Sequence, residues 1–413
     1  MTYLPIEHHG VIGDLHTAAL VGIDGTIDWL CLPHFDSPSL FASILDDAKG
    51  GFFRISAVSD EARRKQMYLP DSNILLTRFL TPDGVGEVVD FMPIHVAEGR
   101  KRFEDHQVIR IVRGVRGSIP FALECVPAFD YARAETRAER TPSGLRFTAD
   151  KRSVDLLTPL ACEARGAGAR CDFVLREGDE IPVVLSLADS KPPPPLEGLD
   201  RRCQEEFRSS LRFWQSWISR SHYAGRWREM VKRSCLALKL LTYAPTGAIV
   251  AATTTSLPER VGGSRNWDYR YTWMRDAAFT LYGFLRVGLT DEAEKFMGFL
   301  ETRCREIDPE RGLQVLYGID GRTEVPETIL GHLDGYKGSR PVRVGNDAAR
   351  QFQLDIAGEV MDAVYLYNKY GEPISHGLWV GVRALADWVC ENWRKPDEGI
   401  WEVRGGRHQF TFS

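Results

Sequence analysis

No segment of this 413-residue chain approaches the roughly 20 consecutive apolar residues that a bilayer-crossing helix needs. Its start, Met1-Thr-Tyr-Leu-Pro-Ile-Glu-His-His-Gly10, lacks the basic beginning and the apolar stretch of a secretory signal. The expectation is a cytoplasmic protein with no membrane partner. A net charge of −5 and a pI near 6.1 supply no general attraction for nucleic acid, so none is expected as a partner either. The eight cysteines include no Cys-x-x-Cys pair, which argues against a zinc site and suits reduced, buried thiols. His8-His9 reads as a pair of surface or packing histidines, and no metal is expected. Nucleotide and serine-hydrolase signatures are missing as well: there is no Gly-x-x-x-x-Gly-Lys-Ser/Thr, no Gly-x-Ser-x-Gly, and Gly84-Val-Gly86 lacks the third glycine of a dinucleotide loop.

The chain has enough residues for more than one core. Up to about residue 190, apolar runs of four to eight residues alternate with Gly, Pro and Asp, the pattern of short strands and turns. Asp24-Gly25 and Pro82-Asp-Gly84 each lie between two such runs and predict hairpins. Separate strands are expected at Gln107–Val115 and Ile119–Val126, and another at Ile181–Leu187. The sequence thus predicts a β-sandwich over residues 1–195, closed by the stiff Lys191-Pro-Pro-Pro-Pro195. Phe207, Leu211, Trp214, Trp217 and Ile218 then fall at helical intervals, which predicts a linker helix within 196–224.

From residue 225 to 413 the periodicity is helical. Expected helices run over Trp227–Tyr243, Met274–Val287, Asp291–Arg305, Asp347–Tyr370 and His376–Trp393. Asp291 with Glu294 makes a capping pattern, Asn346 is the expected cap of the fourth helix, and Leu378, Val382, Leu385 and Val389 its successor's buried stripe.

Three segments of this half carry the residues of a sugar site. In Arg265-Asn-Trp-Asp-Tyr-Arg-Tyr-Thr-Trp-Met-Arg-Asp276, the rings of Trp267, Tyr269, Tyr271 and Trp273 recur every second residue. An extended backbone would place them on one face, as flat surfaces for pyranose rings or as core. Arg275 and Asp276 follow as a forked donor and a two-oxygen acceptor, able to bracket neighbouring hydroxyls. The second segment, Leu330 to Asp347, is a polar, glycine-rich loop suited to lining a pocket or to lying on the surface. In the third, Pro396 to Gly406, Glu402 follows Trp401. A carboxyl held against an indole loses solvation and keeps its proton to higher pH, as a glycosidic proton donor must. The competing reading of Glu402 is a surface pair with Arg404 or Arg407.

Together with Glu7-His-His-Gly-Val-Ile-Gly-Asp14, Asp24-Gly-Thr-Ile-Asp-Trp29 and Phe35-Asp-Ser-Pro-Ser-Leu-Phe-Ala42, these segments resemble glycoside hydrolase family 15, the glucoamylase and bacterial trehalase family. The resemblance implies a β-sandwich followed by an (α/α)6 barrel, and no cofactor. It implies that Arg275 and Asp276 hold the non-reducing glucose, that Glu402 is the general acid, and that Trp401, Trp273, Trp267 and Arg343 line the substrate. Val403 stands where fungal relatives carry a second carboxylate. Such enzymes invert, which requires a second carboxylate roughly 6.5–9.5 Å from the acid to activate water. The family carries that base far downstream, so the expectation is that only about the first half of the barrel is present, without its general base, and that the chain alone is inactive. Asp334, Asp347 and Glu359 have nothing in their context to make them substitutes. The leading expectation is glucoamylase-like release of glucose from α-glucan oligosaccharides. A trehalase on the same scaffold, a related phosphorolytic enzyme and a non-catalytic glucan-binding protein are the alternatives. The partners expected are therefore an α-glucoside or trehalose, and a homo-oligomer is compatible with the sequence.

Overall fold

A computed structural model describes residues 3–94, 106–188, 192–402 and 404–413; Lys191 of the proline boundary and Val403 lie outside the described residues. By its contacts the chain divides into two units, Met1–Ile218 with His332–Arg340, and Ser219–Gly331 with Pro341–Ser413.

Among the described residues the first unit is built on fifteen strands joined in one branched hydrogen-bonded network, every pairing antiparallel. The Asp24-Gly25 hairpin forms between strands Ala18–Gly22 and Thr26–Cys31. Its Gly25 has a φ of +82°, and a Cβ there would lie 2.2 Å from the Ile55 carbonyl, so no other residue fits. Strands Leu75–Thr81 and Gly84–Phe91 flank the second predicted turn. The two strands expected between 107 and 126 are instead one, Gln107–Val126. Gly117 takes a φ of +67° within it and the register against Gly84–Phe91 shifts nearby. A glycine that bends a strand without ending it reads in the sequence as a turn.

This long strand serves two layers. Its first half pairs with Gly84–Phe91 and Glu180–Leu187, its second with Phe52–Ala57 and Gly168–Arg176. Between the layers lies a core that includes Ile27, Phe53, Phe79, Phe121, Val154 and Leu185. Arg110 is wholly buried there. It is neutralised by Asp90 at 2.7 Å and donates to the carbonyls of Phe53 at 2.8 Å and Gly25 at 2.7 Å. These bonds offset the desolvation of a charge that would otherwise unfold the core. The predicted amphipathic helix runs over Leu199–Ser219. It belongs to this unit, with Leu199, Cys203, Phe207 and Leu211 packed on Ile74, Val89, Ile109 and Val184.

The thiols depart from expectation. Cys162 and Cys171 form a disulfide, because Cys162 leads into strand Glu163–Arg165, which folds back on Gly168–Arg176 and brings the two Cα atoms to 4.5 Å. The other six cysteines form no disulfide, and five of them are buried. The expectation of reduced thiols throughout therefore fails for this pair. Among the described residues, no helix is long and apolar enough to cross a membrane.

The second unit is helical, and its strands among the described residues are two residues long. Its helices are Arg228–Leu240, Met274–Arg286, Asp291–Cys304, Asp355–Tyr370 and His376–Asn392. Three expectations change. Asn346 caps a single 3-10 turn, Asp347–Arg350, accepting from the Ala348 N–H at 2.9 Å; the long helix begins only at Asp355. Asp291 lies inside the first turn and pairs with Arg220 instead of capping. The buried stripe of the last helix is Leu378, Gly381, Leu385, Trp388 and Asn392, with Val382 and Val389 half-buried at its edges.

Candidate active site

The aromatic run enters the second unit in extended form, and Trp273, at φ −73° and ψ 128°, immediately precedes helix Met274–Arg286. Thr272–Trp273 pairs antiparallel with Leu316–Tyr317. That pairing places Tyr271 and Trp273 in a small core with Val315, Leu316 and Val325. Of the two readings of these rings, packing holds for Tyr271 and Trp273, which are 5% and 2% exposed. Their burial leaves no free face for a sugar.

Trp273 nevertheless keeps a polar task. Its indole N–H donates to Glu402 Oε1 at 2.7 Å. The next residue but one, Arg275, donates through Nη1 to Asp355 at 2.6 Å and Gln353 at 3.1 Å, and through Nη2 to the Ile400 carbonyl at 3.1 Å. One guanidinium thereby joins the start of helix Met274–Arg286, the start of helix Asp355–Tyr370 and the loop that carries Glu402. With Asp355 almost wholly buried, the pair is expensive to break.

The Glu402 loop is held from below. Asp397 and His408 exchange backbone hydrogen bonds of 2.9 and 2.8 Å. The Asp397 carboxylate accepts the Leu354 N–H at 3.0 Å and that of Glu398 the Phe352 N–H at 2.8 Å. Within this frame Glu402 adopts a φ of +53°, a conformation that costs a non-glycine residue on the order of 1 kcal/mol or more and marks positions where neighbours dictate the backbone. Burial raises the Glu402 carboxyl above the usual glutamate range. The Trp273 N–H, Arg275 and Arg404 pull it down, Asp276 pushes it up, and the net shift is upward. Asp276 is also raised, by desolvation that Arg275 partly offsets. Asp276 is nevertheless exposed, so its carboxyl stays accessible although neighbouring protein displaces part of its water. Such a group is reachable by a ligand, whereas Arg275 is occupied with bracing.

At the other end of the run, Trp267 is half-buried and meets two guanidinium groups, Arg343 at 4.4 Å and Arg404 at 3.9 Å from its ring centre. Both also reach Glu327, Arg343 Nε at 3.0 Å and Arg404 Nη2 at 2.8 Å. Arg343 further donates to the carbonyls of Ser264 and Asn266 at 3.0 and 3.2 Å, and its backbone is pinned by Ser256, whose hydroxyl accepts its N–H at 2.7 Å. Arg404 thus pairs with Glu327, and Arg407 with Glu398 at 3.0 Å. The surface ion pair read as the competing role of Glu402 does not form.

Among the residues singled out in the sequence, Trp273 bonds Glu402 directly and Arg275 braces the loop that carries Glu402 through the Ile400 carbonyl, while Arg343 and Trp267 share a second cluster. Trp401, read as the indole against Glu402, is 75% exposed; the indole bonded to the carboxyl is Trp273. The middle of the polar loop is spent elsewhere. His332–Arg340 belongs to the first unit, where the Asp334 N–H donates to Asp46 at 3.2 Å and the Tyr336 hydroxyl to the Leu4 carbonyl at 2.9 Å. Glu327, Gln353 and Asp355 were not foreseen. Asp355 was hidden because the sequence placed it eight residues inside a helix that it in fact begins.

A model described as glycosyl hydrolases family 15 matches residues 225–413, and one described as trehalase-like, N-terminal matches residues 2–189. The two matches divide between them a sheet domain and a helical domain of a carbohydrate-active class. Three curated relatives agree. The trehalase of Mycolicibacterium smegmatis is 38% identical over 99% of this chain and 64% of its own length. The trehalase of Thermoplasma volcanium is 36% identical over 100% and 65%, and trehalase 1 of Sulfolobus acidocaldarius 36% over 98% and 68%. The chain belongs to glycosyl hydrolase family 15, and it spans about two thirds of the length of these relatives. A solved structure described as a putative kojibiose phosphorylase from human microbiome aligns with a TM-score of 0.47 at 9% identity, over 87% of this chain and 53% of that one.

Proposed function

We propose that the second unit carries the proton-donating side of an inverting trehalase site, its helices belonging to an (α/α)6 barrel. Glu402 is the general acid, and Asp276, accessible beside it in the same electrostatic field, binds hydroxyls of the glucose whose bond is cleaved. Arg275 supports both, and no cofactor takes part. The observation that carries this reading is the Glu402 carboxyl, raised by burial and held by a neutral indole N–H. Its proton is held to higher pH than that of an ordinary glutamate, the direction a donor to a glycosidic oxygen needs. The water-activating carboxylate is not assigned to Asp355, which is committed to Arg275, nor to Asp334, which is paired with Arg340 in the first unit.

Trehalose takes precedence over α-glucan oligosaccharides because each of the similar curated proteins is a trehalase. This reverses the order reached from the sequence. The experiment is a paired titration of the 413-residue chain with trehalose and maltotriose, following binding by calorimetry and glucose release by a coupled assay. Trehalose is expected to be preferred at least tenfold in affinity or turnover. A tenfold preference for maltotriose would return the site to the glucoamylase reading, and binding of neither sugar would sink both.

A further inference from the structure

The first unit contains a cluster of metal-binding side chains that the helical site does not use. Asp14, His16 and His106 each offer a ligand atom, and the three atoms lie within 4.8 Å of one another. Asp14 and His106 are 7% and 3% exposed, and His16 is half-buried. Asp14 Oδ2 lies 2.9 Å from His106 Nδ1. Its other oxygen accepts the backbone N–H groups of His16 at 2.9 Å and Thr17 at 2.8 Å, in the turn that joins strands His9–Gly13 and Ala18–Gly22. The turn therefore fixes the carboxylate and aims one oxygen at the imidazole. The His16 ring meets the His106 ring edge-on at 5.3 Å, and the His34 ring approaches it at 5.9 Å.

Imidazole nitrogens with a single carboxylate are the donors of zinc and other first-row transition ions, whereas magnesium and calcium take oxygen. Bonds of about 2.1 Å give ligand atoms 2.9 Å apart an angle of about 90° at the ion. Tetrahedral ligation with such bonds needs ligand atoms about 3.4 Å apart, so a pair at the 4.8 Å limit closes only when the half-buried His16 ring swings inward by about 1.4 Å. We infer that Asp14, His16 and His106 bind one divalent transition ion, zinc by the match of donors, which pins the 14–17 turn to the first residue before strand Gln107–Val126. The ion is structural. Its ligands sit at positions 14, 16 and 106, a spacing that matches no zinc pattern, and so the sequence concealed them. The competing account is a plain Asp14–His106 hydrogen bond with His16 packed alongside.

Zinc alone is the probe. The 413-residue chain is stripped with a chelator, dialysed against 10 μM zinc, and its metal content and thermal unfolding are measured. One zinc per chain and an unfolding midpoint that rises with zinc are expected. Both should be lost in His16→Ala and in the closer-sized His16→Gln, and kept in His8→Ala. Folding of each variant is followed by circular dichroism, and His16→Gln serves if the alanine variant fails to fold. No retained zinc, or retention unchanged in the His16 variants, overturns the site. Equal occupancy by magnesium at the same concentration would overturn the choice of ion.

Discussion

Trp267 and Trp273 belong to one run of sequence and are six residues apart, yet they hold opposite chemistry. Trp273 is buried and turns its N–H to a carboxyl raised above its ordinary range. Trp267 turns its π face to two guanidinium groups that share the carboxylate of Glu327. A neutral donor steadies a carboxyl while adding no full charge against its proton. Two cations on one carboxylate make a rigid brace and leave nothing for proton transfer. The indole is the same in both places, and what it faces decides whether the neighbourhood is reactive or supportive.

The largest expected effect breaks the reactive end. Glu402→Gln keeps the shape and removes the proton, so in an enzyme form that also supplies the water-activating carboxylate, turnover of trehalose should fall about 10²-fold or more while affinity changes little. Full activity in that variant would remove Glu402 from its role. Stability should move the other way. A carboxyl whose folded value is raised binds its proton more tightly in the native state, so its contribution falls as pH rises from the ordinary glutamate range through the raised value. The glutamine variant should therefore melt higher than the parent at neutral pH, and the gain should vanish in acid. Melting curves across pH test this independently of turnover.

Trp273→Phe sharpens the comparison. The indole N–H favours the ionised form of Glu402, so its loss raises the carboxyl further. The alkaline limb of the rate profile, where the acid loses its proton, should shift to higher pH. A limb that moves down would mean the bond acts on the protonated form.

The brace is expected to yield less. Glu327→Gln leaves Arg343 and Arg404 without their shared counter-charge. The cost should be about 1–3 kcal/mol, between exposed and buried pairs, because Arg404 is 40% exposed. Denaturant unfolding measures it. A change in rate with no change in stability would move the brace into the reaction.

How much of this was visible in the sequence followed the range of the interaction. Turns at Asp24-Gly25 and Pro82-Gly84 need particular residues locally and could be read directly, as could most helix bounds. The single strand Gln107–Val126 could not, because Gly117 bends a strand with the same residue that ends one. Glu402 and Arg275 stood out by motif. Asp355 did not, and Trp273 was named for a different task, since Asp355 lies 80 residues from Arg275 and Trp273 lies 129 from Glu402, and only the fold brings them together. Trp401 looked right as the indole because it was adjacent, yet neighbours in sequence often point apart.

Trp267 carries the smallest expected effect, and it discriminates best. The sequence and its family resemblance place this ring against substrate, whereas the structure places two guanidinium groups over it. Trp267→Leu removes the π face and keeps an apolar side chain. If the ring supports the arginines, the loss is about 0.5–1 kcal/mol of stability for the exposed contact, and KM for trehalose stays within about threefold, since 1.4 kcal/mol would be needed for tenfold. If the ring is a sugar platform, KM should instead rise tenfold or more at unchanged stability. Trp267 would then touch the sugar while the buried Trp273 only holds Glu402, and the contrast would lie between a ring that meets substrate and a ring that positions the acid.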